Sequence, residues 1–97
     1  MPNKMRPIHP GEILKGELTE LDLSANSFAK ALGVPANRIT AIINEQRPIK
    51  ADTALRLSRF FGTTPEFWMR LQASHDVKKA KHASWQEIAR AVKPSKM

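Results

Sequence analysis

The chain has no cysteine among its 97 residues, which excludes a disulfide scaffold, thiolate zinc sites and cysteine nucleophiles together. Long apolar runs are missing too: no stretch approaches the roughly 20 residues that a membrane-spanning helix needs. The opening Met1-Pro2-Asn3-Lys4-Met5-Arg6 leads into no apolar signal-peptide core, so a cytoplasmic protein without membrane contact is expected. Strand signals are nearly absent, with no alternating apolar/polar segment and no Asn-Gly or Asp-Gly turn. No Gly-rich phosphate loop exists, since Gly11 and Gly16 follow no strand. Acidic residues are scarce: 9 Asp and Glu stand against 16 Lys and Arg, a formal charge of +7. That balance points to an anionic partner, nucleic acid first, then a membrane surface or an acidic protein. What is present, 41% hydrophobic and 26% charged residues, suits one small folded domain.

The charge is unevenly spread. Residues 11–22 set Lys15 against Glu12, Glu17, Glu20 and Asp22, a net −3. Residues 23–50 set Lys30, Arg38, Arg47 and Lys50 against Glu45, a net +3. Residues 75–97 carry Lys78, Lys79, Lys81, Arg90, Lys93 and Lys96 against Asp76 and Glu87, a net +4. A basic tail of this kind serves either as solvated surface or as a binding element.

Helix punctuation is abundant. Pro10-Gly11-Glu12 opens a segment with Ile13, Leu14, Leu18 and Leu21 at helical spacing, which predicts a first helix over 10–21. Ser24 is placed to cap a second, with Phe28, Ala29 and Leu32 on one face and Gly33 as its stop. Pro35 suits the first turn of a third, whose Ile39, Ile42 and Ile43 face inward and which fades over 44–47. A fourth spans 51–61, with Asp52 at its positive end, Ala54, Leu57 and Phe61 toward the core, and Gly62 ending it. Thr64-Pro65-Glu66 starts a fifth that carries Phe67, Trp68 and Leu71 and reaches the late seventies. Ser84-Trp85-Gln86-Glu87 has capping-box spacing and predicts a short last helix with Ile88, Ala89 and Val92, stopped by Pro94. The expected fold is all-α: five short helices plus a short C-terminal helix, frayed at 1–8 and 93–97.

Residues 25–44 meet the demands of a helix-turn-helix. The first helix needs a small residue where the second presses on it, and Ala29 fits. The turn needs a residue that accepts positive φ, and Gly33 follows four positions later. The second helix must bury an aliphatic pair three apart, which Ile39 and Ile42 supply, while Phe28, Leu32 and Val34 fill the remaining inner positions. If the isoleucines point in, Ala36, Asn37, Thr40, Ala41 and Asn44 point out, because a helix turns by about 100° per residue. That outward set is short and uncharged, suited to a major groove. Asn bridges adenine N6 and N7, Thr bonds a base or touches a thymine methyl, and Ala packs on that methyl. Arg38, to one side, reaches a phosphate or a guanine. Ser27, Lys30, Arg47 and Lys50 flank the unit and are read with Arg38 as DNA-backbone contacts, which set register without reading sequence.

Four segments carry a resemblance: His9-Pro10-Gly11-Glu12-Ile13-Leu14, the unit from Ser27 to Asn44, Ala51-Asp52-Thr53-Ala54-Leu55-Arg56-Leu57, and Phe60-Phe61-Gly62-Thr63-Thr64-Pro65-Glu66-Phe67-Trp68 followed by Leu71-Gln72. They are similar to the HigA antitoxins, a branch of the lambda-repressor-like (XRE-type) helix-turn-helix proteins, over about residues 8–77. The resemblance implies a homodimer that binds a palindromic operator ahead of its own operon. It also implies neutralisation of a HigB toxin, a ribosome-dependent mRNA interferase of RelE-like fold. The family's groove-facing positions map onto Ala36, Asn37, Thr40, Ala41 and Asn44. Residues 1–77 form the expected helix-turn-helix DNA-binding domain, and 78–97 a basic C-terminal extension with a short helix, outside any shared pattern.

No catalytic residue, cofactor or metal is expected. His75 and His82 are seven apart, about 10 Å along a helix and too far to share one ion. His9 is more simply a capping or packing residue. His75-Asp76 does not make a hydrolase triad, because neighbours on a helix diverge by about 100° and no nucleophile turn is visible. Phe60, Phe61, Phe67 and Trp68 read mainly as core. Adjacent pairs cannot all face one core, so a ring left outside forms an apolar patch suited to a partner, as do Trp85 and Ile88. The alternatives to an antitoxin are a stand-alone XRE-family regulator without a cognate toxin and a protein-interaction module whose basic surface meets an acidic partner.

Overall fold

Helix ends are set here by residues that satisfy the first N–H groups and the last carbonyls. In the computed structural model, which describes residues 6–95, the helices are α1 (Pro10–Leu21), α2 (Ala25–Leu32), α3 (Ala36–Ile43), α4 (Ala51–Phe61) and α5 (Pro65–Ala91). Ser24 and Thr64 cap α2 and α5 by accepting the N–H groups of Ser27 and Phe67 at 3.0 and 3.2 Å. Gly33 and Gly62 end α2 and α4 with φ of 71° and 73°, the left-handed region that glycine enters without strain. Pro35 stands at the N-cap of α3, just before its first turn.

The predicted sixth helix is not a separate element. α5 runs unbroken for 27 residues, past the late seventies and through Ser84. No glycine or proline lies between Glu66 and Lys93, and the intervening Ala, Lys, Gln and Arg are good helix formers. Ser84 and Glu87 have capping-box spacing, but three apart is also the spacing of neighbours on a continuous helix. The second half of α5 therefore projects from the body, and the fold measures 52 × 25 × 24 Å. At the other end, frayed residues were expected as far as position 8. Arg6 instead makes a two-pronged bond to Glu12 at 2.9 and 2.8 Å, and Pro7 and Ile8 are half-buried. The same expectation for 1–5, 96 and 97 lies outside the described residues.

α2 packs on α3 across the Gly33 turn, α1 lies over α3 and touches α5, and α4 joins α2 to α5. Leu14, Phe28, Ile39, Ile42, Leu57 and Trp68 are fully enclosed between them. Ile43 and Phe61 are half-buried, and Leu21 is exposed at the end of α1. Ile49, in the loop between α3 and α4, is a core residue the helical pattern did not announce. Of the four adjacent aromatics only Trp68 is fully inside, its Nε1–H donated to Thr63 Oγ1 at 3.0 Å, whereas Phe60 and Phe67 are exposed.

His9 both caps and packs. Its Nδ1 accepts the Gly11 N–H at 2.9 Å, and its ring meets that of His75 edge-on at 4.8 Å. The cap requires a neutral imidazole, and burial, then the nearby His75, pushes the His9 pKa below its ordinary value. In the pH range between those two values the unfolded chain binds more protons at this position than the folded one, so stability falls as pH drops. The melting temperature is expected to hold above about pH 7 and to decline from about 6.5 downward. His9→Asn keeps a cap acceptor without a titrating ring, and should flatten the upper part of that decline in a thermal-melt series.

Candidate nucleic-acid interface

The outward face of α3 follows from the burial of its inward one. With Ile39 and Ile42 fully enclosed, Asn37, Thr40 and Asn44 stand exposed on the opposite side and Ala41 lies half-exposed among them. Ala36 is not fully on this face; it is half-buried on a flank and packs against the core. The Thr40 hydroxyl donates to the Ala36 carbonyl at 3.1 Å, so Thr40 presents its methyl group and oxygen lone pairs outward. The face is therefore made of two amides, a methyl-bearing acceptor and a small apolar surface, chemistry suited to adenine edges and thymine methyls.

Cations border this face. Lys30 on α2 and Arg47 and Lys50 in the loop after α3 are exposed and form no ion pair among the described residues. Ser27 is exposed in the first turn of α2, where its oxygen accepts a bond from Ser24 Oγ at 3.1 Å. Arg47, Lys50 and Arg38 line a notch of about 190 Å³ together with Pro48, Asp52 and Thr53. The notch lies at the start of α4, whose N-cap, Lys50, supplies no side-chain acceptor. With no side-chain cap on α4 and with Arg47 and Lys50 unpaired beside it among the described residues, the notch suits a phosphate.

Arg38 is not a free cation. Its Nη1 donates to Asp52 Oδ2 at 2.9 Å, and the same oxygen accepts Arg56 Nε at 3.0 Å. These two guanidinium groups, Arg56 first, hold the Asp52 carboxyl below its usual pKa. Arg56 also donates through Nη1 to the Leu32 carbonyl at 2.7 Å, at the end of α2. One side-chain chain thus links α3, α4 and the α2 terminus, and holds the α3 face in a set orientation.

A second latch comes from α5. Gln72 is buried; its Oε1 accepts the Ile49 N–H at 2.7 Å and its Nε2 donates to Asp76 at 3.0 Å. The loop that carries Arg47 and Lys50 is anchored by this bond and by the Ile49 side chain. Sequence reasoning missed Gln72 and Arg56 as positioning residues. The available signal was the helical face shared by Trp68, Leu71, Gln72 and His75, where one amide interrupts an otherwise apolar or aromatic stripe.

The helix-turn-helix family model matches residues 14–68. An addiction module antidote protein of the HigA family from Coxiella burnetii superposes with a TM-score of 0.92 at 59% identity, over 94% of this chain and 100% of that one. The chain belongs to the HigA family of helix-turn-helix proteins. A second HigA structure, the Pseudomonas aeruginosa antitoxin with the higBA promoter, has a TM-score of 0.89 at 46% identity, covering 92% of this chain and 98% of that one. Among curated relatives, virulence-associated protein I of Dichelobacter nodosus is 52% identical over 79 residues, 80% of this chain and 73% of its own. As in the expected all-α fold, the five helices of this HigA chain place the helix-turn-helix at α2 and α3.

Proposed function

We propose that the chain is the antitoxin of a type II toxin–antitoxin system: a homodimer that represses its own operon and neutralises a HigB-like mRNA interferase of RelE fold. The carrying observation is the α3 face, on which Asn37, Thr40 and Asn44 stand clear of the core between exposed cations. Family membership supports the rest, since relatives include antitoxins solved with promoter or operator DNA.

In this reading α3 enters the major groove, with Asn37, Thr40, Ala41 and Asn44 on base edges and Ala36 touching from the flank. Ser27, Lys30, Arg47 and Lys50 hold phosphates, and Arg38 joins them from its Asp52 pair. Two copies present their α3 helices to successive grooves of a palindrome about 34 Å apart. The second half of α5 supplies a seam for the two copies. Val77, Trp85 and Ile88 are exposed and fall within an arc of about 80° on that helix, and Val92, its C-cap, is exposed just beyond.

Asn37→Ala is expected to weaken operator binding by about 1–3 kcal/mol while leaving scrambled DNA unchanged. Arg47→Ala should weaken both DNAs alike and flatten the salt dependence by about one charge. Fluorescence anisotropy across a salt series separates the two, and equal losses on both DNAs for Asn37→Ala would remove it from base readout. Co-purification with the toxin, after expression of the two genes together, tests neutralisation. Operator binding without toxin capture would make the chain a stand-alone regulator.

A further inference from the structure

We infer that the toxin docks on the flank of α1, where one of its basic side chains enters an aromatic notch beside Glu17. This rests on the antitoxin reading above and gives it a surface. The notch, about 180 Å³, is lined by Ile13, Glu17, Phe61, Thr63, Phe67 and Trp68. Its wall is a run of three rings: Trp68 meets Phe67 at 5.1 Å and Phe61 at 5.8 Å between centroids. The Trp68 ring is fixed by its bond to Thr63, so the wall is preformed. Phe67 remains 42% exposed at its mouth.

Charge selects the occupant. The chain carries +7 overall, yet residues 11–22 carry −3. Glu12 is already paired with Arg6, whereas Glu17 and Glu20 are exposed and form no ion pair among the described residues. A ribonuclease must hold a polyanion and so presents a basic surface. Such a protein is repelled by the Arg47–Lys50 region and attracted to the one acidic stretch of this chain. An arginine or lysine stem packs against the exposed Phe67 ring at the mouth, its charge close to the Glu17 carboxylate.

The notch shares no residue with α3, with the loop after it, or with the Val77–Val92 stripe. The notch is thus distinct from the DNA-reading face and from the proposed seam.

The test uses the full chain and a catalytically inactivated toxin from the same operon, with affinity measured by biolayer interferometry. Glu17→Lys and Phe67→Ser are exposed positions on different elements, so if one variant misfolds the other decides. Each is expected to weaken toxin binding on the order of 30-fold or more, with operator affinity unchanged. Glu17→Lys should keep the wild-type melting temperature, and Phe67→Ser, which loses packing on Trp68, should melt somewhat lower but still cooperatively. Wild-type toxin binding should also weaken as salt rises. If the wild type captures toxin and both variants do so equally well, the docking site is overturned and the antitoxin reading stands. If the wild type captures no toxin, the antitoxin reading fails, and the docking site with it.

Discussion

Gly11→Ala is expected to lower stability by about 3 kcal/mol or more, toward the upper end of what overpacking costs. A Cβ built on Gly11 lies 1.8 Å from the Ile42 carbonyl oxygen and 2.8 Å from its carbon. Both obstructing atoms are backbone, so no rotamer change relieves the clash; α1 must lift from α3. Ile42 is fully enclosed, and its carbonyl accepts the Glu45 N–H at 2.9 Å in the turn that closes α3. Displacing it disturbs both the core and the helix proposed to read DNA. For a domain of this size the loss corresponds to a melting temperature lower by roughly 15 °C. Gly16→Ala is the control within the same helix. Nothing lies within 4 Å of its Cβ position, so alanine should stabilise by about 0.5–1 kcal/mol through backbone entropy. A melting temperature for Gly11→Ala within about 2 °C of wild type would refute the close-approach account.

Gly11 illustrates where sequence reasoning stops. Pro10-Gly11-Glu12 announces a helix start because proline and an acidic first turn act locally. The need for glycine comes from α3, more than thirty positions away, and no local pattern contains it. Ser24, Gly33, Gly62 and Thr64 were readable for the converse reason: each caps or stops its own helix. The α3 face was readable because burying Ile39 and Ile42 fixes the opposite side by rotation alone. Ala36 shows the limit of that argument, since a residue on the flank is claimed by whatever packs beside it, here the core. Arg38 looked like a free cation in the sequence; its pairing with Asp52 depends on how α4 is set against α3. Gln72 could be seen as an amide on an apolar stripe, but its partner, the Ile49 N–H, belongs to a loop whose path only the fold defines.

The unbroken α5 leads to the largest expected effect on DNA binding. Joint replacement of Trp85 and Ile88 by serine removes the widest part of the exposed stripe without altering net charge. Among the described residues none beyond Gln72 is buried, so the protomer should melt as the wild type does in dilute solution. Sedimentation should show conversion to monomer. Operator affinity should then fall by about 10²–10⁴-fold, because the second α3 no longer binds at the effective concentration supplied by the first. A direct DNA contact by the same residues predicts something different: a smaller loss in a protein that still sediments as a dimer. Half-site DNA separates the two further, since binding of one α3 to one half-site does not need the seam and should be nearly equal in wild type and variant. If the variant remains dimeric, or loses half-site binding as strongly as operator binding, the seam lies elsewhere and the projecting half of α5 acts on the DNA itself.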